Sequence, residues 1–223
     1  ITLSGGFNTV QGTSGAETIT VSGGTNVIDG GADNDTITLN NGINTVNAGA
    51  GDDSITASGG TNTIATDAGA NTVVLAGGTN SVTASTGADS ITATGGNNTI
   101  DSGAGLNVIT LNGGTNSVTG GAEADRITTT SGTNIIHAGD GTDTINLNGG
   151  TTTVNAQDGV DSITATLGTN VIDAGDDGDV ISLSGGFNTV QGNSGTDTFT
   201  VSGGTNVIDG GAENDFITLN NGT

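Results

Sequence analysis

The chain of 223 residues is built on an 18-residue repeat that continues without insertion. When position 1 of the repeat is placed at Gly12, twelve copies follow one another, and the last begins at Gly210. A fixed period of about 20 residues is typical of solenoids, in which each repeat forms one coil that stacks on the previous coil. The sequence therefore predicts one elongated body instead of the one or two globular domains that its length alone would suggest.

Each repeat divides into two nine-residue halves that share a strand-and-turn pattern. In the copy that starts at Gly30, residues 30–38 form the first half and residues 39–47 the second. Alternating apolar and polar residues lead into a Gly-rich turn in both halves, which indicates short strands. Gly in every turn and β-branched residues in every strand disfavour helix. We therefore predict an all-β protein, a parallel β-solenoid of about 12 coils with 18 residues per coil.

The alternation also predicts a thin core. Positions 8 and 17 are almost always Ile or Val, and position 10 is mostly Val, Leu or Ala, so these columns should face inward. The outward positions 7 and 9 are mostly Thr or Ser. Burying about three aliphatic side chains contributes on the order of 5–8 kcal/mol per coil. Ordering the backbone of a coil costs more, at roughly 1–2 kcal/mol per residue, so a further source of stability is expected.

The acidic residues occupy one narrow part of the repeat. The chain has 23 of them against a single basic residue, Arg126, which gives a formal net charge of −22. Ten lie at position 6, and the others lie at position 18 or at positions 2 to 5. Position 6 shares the inward face of positions 8 and 10, and coils stack about 4.8 Å apart. Neighbouring carboxylates would repel at that spacing and need counter-charge.

The second turn of each coil differs, because position 15 is Asn in almost every copy. An Asn column can satisfy itself through amide ladders and bonds to the turn backbone, with no charge to neutralise. The counter-ions are therefore expected along one edge only.

Calcium fits the acidic edge best. Ca²⁺ takes six to eight oxygen ligands in flexible geometry, including carboxylates and backbone carbonyls. Mg²⁺ demands stricter octahedral geometry, and Zn²⁺ prefers His or Cys, of which the chain has only His137. We expect several Ca²⁺ ions along this edge, with weaker or empty sites at Asn71 and Asn107, which lack charge at position 6.

The first half of each coil resembles the nonapeptide G-G-x-G-x-D-x-U-x of the haemolysin-type calcium-binding (RTX) family, where U is a large aliphatic residue. Gly30, Gly31, Asp35 and Ile37 match this pattern, and comparable matches recur through the whole chain. The resemblance implies a right-handed parallel β-roll with Ca²⁺ held between coils by carboxylates and loop carbonyls. Here only alternate nonapeptides carry the acid, a one-edged variant that also resembles the ice-binding region of some large bacterial adhesins.

The resemblance also implies which residues hold the metal. The position-6 acids take the ligand role, and Asp33 and Asp177, which are acidic at position 4 of the same turn, join the expected set. The expected position-6 ligands are Glu17, Asp35, Asp53, Asp89, Asp125, Asp143, Asp161, Asp179, Asp197 and Asp215.

Composition excludes several classes of function. A charge of −22 disfavours nucleic acid and anionic membranes as partners, and no apolar run approaches the length needed for membrane insertion. The absence of Cys excludes disulfides and thiol chemistry. His137 and Arg126 are the only residues that suggest catalysis, and no matching nucleophile accompanies them. We therefore expect no enzyme activity.

A longer duplication lies over the short repeat, because residues 181–222 nearly repeat residues 1–42. We expect residues 1–223 to form a single continuous solenoid that is a segment of a longer array. The expected function is structural: a calcium-stabilised stalk, fibre, surface-layer or adhesin rod of a secreted bacterial protein, with calcium and neighbouring copies of itself as partners. The alternative is a binding module, ice-binding or adhesive, that acts through the Thr-rich strand faces.

Overall fold

The computed structural model describes residues 1–220, and it contains two long parallel β-sheets. The chain alternates between them, so each coil contributes one strand to each sheet. The predicted all-β parallel solenoid with 18 residues per coil is confirmed. Residues 1–220 contain no helix long and apolar enough to cross a membrane.

The first sheet has 13 strands and the second has 12. The first sheet consists of β1 (Thr2–Ser4), β3 (Thr18–Ser22), β5 (Thr36–Leu39), β7 (Ser54–Ala57), β9 (Thr72–Leu75), β11 (Ser90–Ala93), β13 (Val108–Leu111), β15 (Arg126–Thr129), β17 (Thr144–Leu147), β19 (Ser162–Ala165), β21 (Val180–Leu183), β23 (Thr198–Val201) and β25 (Phe216–Leu219). The second sheet consists of β2 (Phe7–Gln11), β4 (Thr25–Ala32), β6 (Ile43–Ala50), β8 (Thr61–Asp67), β10 (Thr79–Ala84), β12 (Asn97–Asp101), β14 (Thr115–Gly121), β16 (Thr133–Gly139), β18 (Thr151–Asn155), β20 (Thr169–Gly175), β22 (Phe187–Asn193) and β24 (Thr205–Asp209).

The strands stack in a register of 18 residues, with one shift in the second sheet, where Ala84 of β10 pairs with Asp67 of β8. In the first sheet Ile37 pairs with Ile55, and in the second sheet Val46 pairs with Ile64. Each position of the repeat therefore becomes a column that runs along the solenoid axis. A property that recurs at one position in the sequence becomes a continuous stripe of the molecule.

The core lies between the two sheets and consists of the predicted columns. Ile37, Leu39 and Val46, at positions 8, 10 and 17 of one coil, are each at most 2% exposed. Small residues at position 1, such as Ala48 and Ala138, are buried beside them. The columns continue as one hydrophobic cluster along nearly the whole solenoid.

The outward columns differ from the prediction in one respect. Position 7 is exposed, but the Thr side chains at position 9, including Thr38, Thr56 and Thr92, are half-buried. The fully exposed Thr pairs lie instead on the second sheet, at positions 14 and 16, as in Thr61 and Thr63. The Thr-rich surface available to a partner is therefore mainly the outer face of the second sheet.

Glycine permits the coils to stack closely at both turns. Gly139 in the acidic turn has φ of +111°, and Gly78 in the other turn has φ of +88°. A β-carbon at either residue would overlap the backbone carbonyl of the glycine one coil earlier. L-residues with a side chain also rarely adopt this positive φ. Both positions therefore require glycine for two reasons, the backbone conformation and the lack of space for a β-carbon.

Candidate metal centre

The position-6 acids form a single buried column, the acid column, at the start of the first-sheet strands. Asp35 directly precedes β5, and Asp143 directly precedes β17. Eight of these carboxylates are at most 2% exposed, while those nearest the two ends, Glu17 and Asp215, are half-buried. The inward orientation predicted from alternation is confirmed. The eight are Asp35, Asp53, Asp89, Asp125, Asp143, Asp161, Asp179 and Asp197.

One oxygen of each of the nine aspartates in this column has a clear partner. The Oδ1 atom accepts a hydrogen bond from the backbone N–H of the position-6 residue in the preceding coil, at 2.7 to 3.0 Å. The N–H of Asp125, for example, donates to Asp143, and that of Asp143 donates to Asp161. The acid column thus links successive coils through one oxygen of every aspartate.

The second oxygen of nine of the ten carboxylates is buried and has no hydrogen-bond partner. Leaving a buried polar group unsatisfied costs about 1–3 kcal/mol, and more when the group is charged. A whole column of such atoms would strongly destabilise the solenoid unless something neutralised it. These atoms are Oε2 of Glu17 and Oδ2 of Asp35, Asp53, Asp89, Asp125, Asp143, Asp161, Asp179 and Asp197.

Backbone carbonyls border these unpartnered oxygens. The space that a β-carbon of Gly30 would occupy is bordered by Oδ2 of Asp35 and by the carbonyl oxygen of Ala48, one coil later. The same pair of groups, an acid Oδ2 and the next position-1 carbonyl, meets beside Gly120 and Gly192. Two acceptors that approach one point without a donor require a proton or a cation. Carboxylate and carbonyl oxygens are the ligands that Ca²⁺ prefers.

Side chains alone do not complete a site. Within residues 1–220, no three His, Asp or Glu side chains gather closely enough to hold a metal ion. Each acid-bearing coil supplies a single position-6 carboxylate, so a bound ion would need further ligands, and the carbonyl oxygens of the turns lie beside it. The donor set therefore fits Ca²⁺, which accepts carbonyls readily, better than it fits a transition metal.

Burial also changes how the acids bind protons. Desolvation raises the pKa of Asp161 to about 8, with further contributions from neighbouring carboxylates such as Asp143. Burial, again with nearby carboxylates, raises the pKa of Asp125 and Asp179 to about 7, and burial raises that of Asp143 to about 6. Without a cation, Asp161 in the folded protein is therefore mostly protonated at pH 7, and Asp125 and Asp179 are about half protonated.

Asp33 and Asp177 lie outside the acid column. Both are exposed and occupy the left-handed region, with φ of 71° and 75°. Oδ2 of Asp33 accepts a hydrogen bond of 2.9 Å from the backbone N–H of Gly15, the residue at the same position one coil earlier. The sequence placed these two residues in one metal-ligand set with the position-6 acids. The structure separates them from the buried carboxylates, and their role as ligands stays a prediction.

The opposite edge is fully hydrogen-bonded over most of its length. Each position-15 amide nitrogen donates to Oδ1 of the next Asn, as from Asn44 to Asn62 and from Asn62 to Asn80, at 2.7 Å. It also donates to the carbonyl three residues earlier, as from Asn62 to Gly59 at 3.1 Å. This Asn ladder therefore needs no counter-ion, as the sequence predicted.

The Asn ladder is interrupted at one coil. Thr152 replaces Asn, and its hydroxyl lies 3.4 Å from the amide nitrogen of Asn134. Thr152 has no amide to donate onward, so Oδ1 of Asn170 is buried without a partner. Thr152 is therefore a weak point on the uncharged edge.

A stack of parallel coils with a buried carboxylate column along one edge defines a repeat protein that binds cations in its turns. The model of the RTX calcium-binding nonapeptide repeat (4 copies) matches residues 3–37, 11–46, 38–73, 76–109, 119–154, 155–190 and 191–223. The chain belongs to this calcium-binding repeat family. Its repeats are calcium-binding, which agrees with several Ca²⁺ ions along the solenoid. Comparison with curated proteins finds no match.

The sequence predicted the acid column and turn carbonyls as further ligands, but it did not predict which carbonyls lie beside the acids. Backbone oxygens leave no side-chain pattern, so the meeting of Asp35 with the carbonyl of Ala48 becomes visible only in the folded chain. One signal was present: position 1 is Gly or Ala in every coil that carries an acid. A small residue there leaves the carboxylate and the carbonyl room to approach each other.

Proposed function

We propose that this chain is a calcium-stabilised rod in a secreted or cell-surface bacterial protein, where it acts as a stalk, fibre or surface-layer segment or as the shaft of an adhesin. The observation that carries the proposal is the column of nine buried carboxylate oxygens without partners along one edge of a continuous stack of coils. Such a column is costly unless ions occupy it, and a stack of identical coils has length and stiffness as its main properties.

The metal ligands in this proposal are the ten position-6 acids. Nine of these acids have an unpartnered oxygen, which would bind Ca²⁺ together with carbonyls of position 1, such as that of Ala48. Bound calcium supplies positive charge and draws neighbouring coils together. The protein's own part is to hold each carboxylate in place through its Oδ1 bond to the preceding coil.

The rod geometry follows from the repeat. Twelve coils at about 4.8 Å each extend about 60 Å, and each added coil lengthens the rod by the same step. The near-identity of residues 1–42 and 181–222 supports a longer array that grew by block duplication. A solenoid of RTX repeats is a structural fold rather than a class of enzyme.

The outer face of the second sheet, formed by positions 14 and 16, supports sideways contact between copies. It carries no acidic or basic residue at positions 14 and 16, whereas position 18 of the same strands places Asp29, Asp101, Asp173, Asp209 and His137 along its margin. At about 60 Å by 10 Å it could bury roughly 1,200 Å² in a pair, the lower range of specific interfaces. Its exposed apolar residues are Phe7, Val27, Ile43, Ile135, Val171, Phe187 and Val207.

Small-angle scattering and sedimentation of the calcium-loaded protein test both parts of the proposal. We expect an unbranched particle that lengthens by about 4.8 Å for each inserted 18-residue coil. At high concentration, pairs should form side by side, and Phe187→Ser with Val207→Thr should weaken them. A compact particle would refute the rod. A monomer at every concentration would refute the lateral contact alone.

The alternative is a binding module, ice-binding or adhesive, on the same second-sheet face. The observation in its favour is the rank of exposed hydroxyl pairs, such as Thr61 with Thr63 and Thr79 with Ser81. Ile43, Ile135 and Phe187 interrupt this rank. We therefore expect no thermal hysteresis, and its observation would favour the alternative.

A further inference from the structure

Two of the twelve coils have no acid at position 6, where Asn71 and Asn107 take its place. The same two coils also differ at position 1, where they carry Thr66 and Ser102. The ten acid-bearing coils have Gly or Ala at that position. The loss of the acid at position 6 and the gain of a hydroxyl at position 1 therefore occur together in these two coils and in none of the others, although the two positions lie five apart in the sequence.

The side chains of Asn71 and Asn107 keep the inter-coil hydrogen bond that the acid accepts, and they place an amide donor where the acid has its unpartnered oxygen. Their Oδ1 atoms accept the usual inter-coil bond, from the N–H of Asp53 to Asn71 and from that of Asp89 to Asn107, both at 2.9 Å. The amide nitrogen stands where an acid has its unpartnered oxygen, and it donates to a turn carbonyl. The acceptor is Gly69 for Asn71, at 3.1 Å, and Gly103 for Asn107, at 3.4 Å. Both polar atoms of the Asn are thus satisfied without charge.

The hydroxyl at position 1 provides a hydrogen-bond donor for the carbonyl that borders the carboxylate in acid-bearing coils. Oγ of Ser102 donates to the carbonyl of Gly120 at 2.6 Å. Gly120 is position 1 of the next coil, and its carbonyl corresponds to that of Ala48, which borders the unpartnered oxygen of Asp35. In residues 102–119, the side chains of Ser102 and Asn107 therefore donate to turn carbonyls. In the acid-bearing coils, the corresponding carbonyl at position 1 lies beside a carboxylate. Replacement is less complete in residues 66–83, because the buried hydroxyl of Thr66 has no partner.

We infer that coils 66–83 and 102–119 are metal-independent joints that divide the acid column into separate blocks for binding divalent cations. This inference rests on the proposed calcium role of the acid column. Asp89 lies alone between the joints. The amino-terminal block has three acids and the carboxy-terminal block six: Glu17, Asp35 and Asp53, and Asp125, Asp143, Asp161, Asp179, Asp197 and Asp215.

The division has a consequence for how the rod responds to calcium. Ions in neighbouring gaps share a coil, so binding in one gap helps to order the next, and this cooperativity should end at a joint. The middle of the rod should stay ordered at calcium concentrations that leave both blocks loose. The six-acid block should show the steeper calcium dependence.

Two double variants test the inference: one converts a joint into an acid-bearing coil, and the other converts an acid-bearing coil into a joint. The number of bound Ca²⁺ ions is measured by equilibrium dialysis at neutral pH. Ser102→Ala with Asn107→Asp should raise the count by about one ion. Ala138→Ser with Asp143→Asn should lower it by about one and should raise the melting temperature of the calcium-free protein. Asn188→Thr copies the natural Thr152 on the opposite edge and is the control, with no change in count.

The outcomes separate this inference from the proposed function. If the unaltered protein binds no Ca²⁺, the proposed function fails. If it binds Ca²⁺ but both converted coils leave the count unchanged, the metal-independent joints are refuted and the rod stands. Hydrogen exchange of the unaltered protein gives a test without substitutions. In calcium-free buffer, amides of residues 102–119 should exchange at least tenfold more slowly than those of residues 138–191, and equal rates would refute the joints.

Discussion

Removal of calcium at neutral pH should unfold most of the solenoid. Nine buried carboxylate oxygens have no partner, and each such group costs about 1–3 kcal/mol or more. Their combined cost, about 9–27 kcal/mol, is as large as or larger than the 5–15 kcal/mol by which domains are usually stable. Far-ultraviolet circular dichroism during titration with EGTA should show loss of most of the strand signal, and added Ca²⁺ should restore it.

A control on the uncharged edge separates calcium binding from general stability. Thr152→Asn should supply the missing donor to Oδ1 of Asn170, a gain of about 1–3 kcal/mol and a rise of several degrees in melting temperature. We expect a rise of the same sign with and without calcium, because no ion is involved. A strand spectrum and melting curve unchanged by EGTA would exclude calcium as the organising ion.

Acidification should restore the fold of the calcium-free chain. Burial raises the pKa of Asp161 to about 8, of Asp125 and Asp179 to about 7 and of Asp143 to about 6, against an ordinary value of 3.8. Between pH 3.8 and each raised pKa, the folded chain keeps a proton that the unfolded chain has released. The free energy of unfolding of the calcium-free protein therefore falls as pH rises through this range. The contribution is fully present below pH 3.8 and disappears as pH rises through 6 to 8. A tenfold change in proton affinity corresponds to about 1.4 kcal/mol, and several acids change together.

The experiment uses calcium-stripped protein in metal-free buffer, because chelators themselves lose affinity at low pH. We expect a folded solenoid near pH 5 and an unfolded chain near pH 8, with protons acting in place of calcium. With calcium present, the fold should persist at pH 8. Calcium-free stability that rises from pH 5 to pH 8 would contradict the burial of neutral acids in the column.

Much of this protein could be predicted from its repeat. A strict 18-residue period placed Ile37 and Leu39 in the core and Asp35 beside them, because a constant register converts sequence columns into structural columns. The half-burial of Thr38 could not be predicted, since alternation gives the side of a strand but not how deeply neighbours cover it. The carbonyl of Ala48 beside Asp35 also escaped prediction, because backbone groups carry no residue identity.

The separation of Asp33 from the acid column shows the same limit. The sequence placed Asp33 with Asp35 in one expected site, because both lie in the same turn. In the structure, Asp33 has a left-handed backbone, and its exposed carboxylate accepts a hydrogen bond from the N–H of Gly15. A turn that reverses direction within a few residues does not preserve the strand alternation. Alternation therefore predicted the orientation of Asp35, which directly precedes β5, but it gives no orientation for Asp33, two residues deeper in the turn.

The most direct measurement of the central claim is the position of the bound ions in crystals grown with calcium. Anomalous scattering at long wavelength identifies Ca²⁺ without assumptions about its ligands. We predict a row of peaks between successive coils beside the unpartnered oxygens of the acid column, with gaps at Asn71 and Asn107 and none along the Asn ladder. Equal peaks on both edges, or none beside the buried carboxylates, would contradict the account.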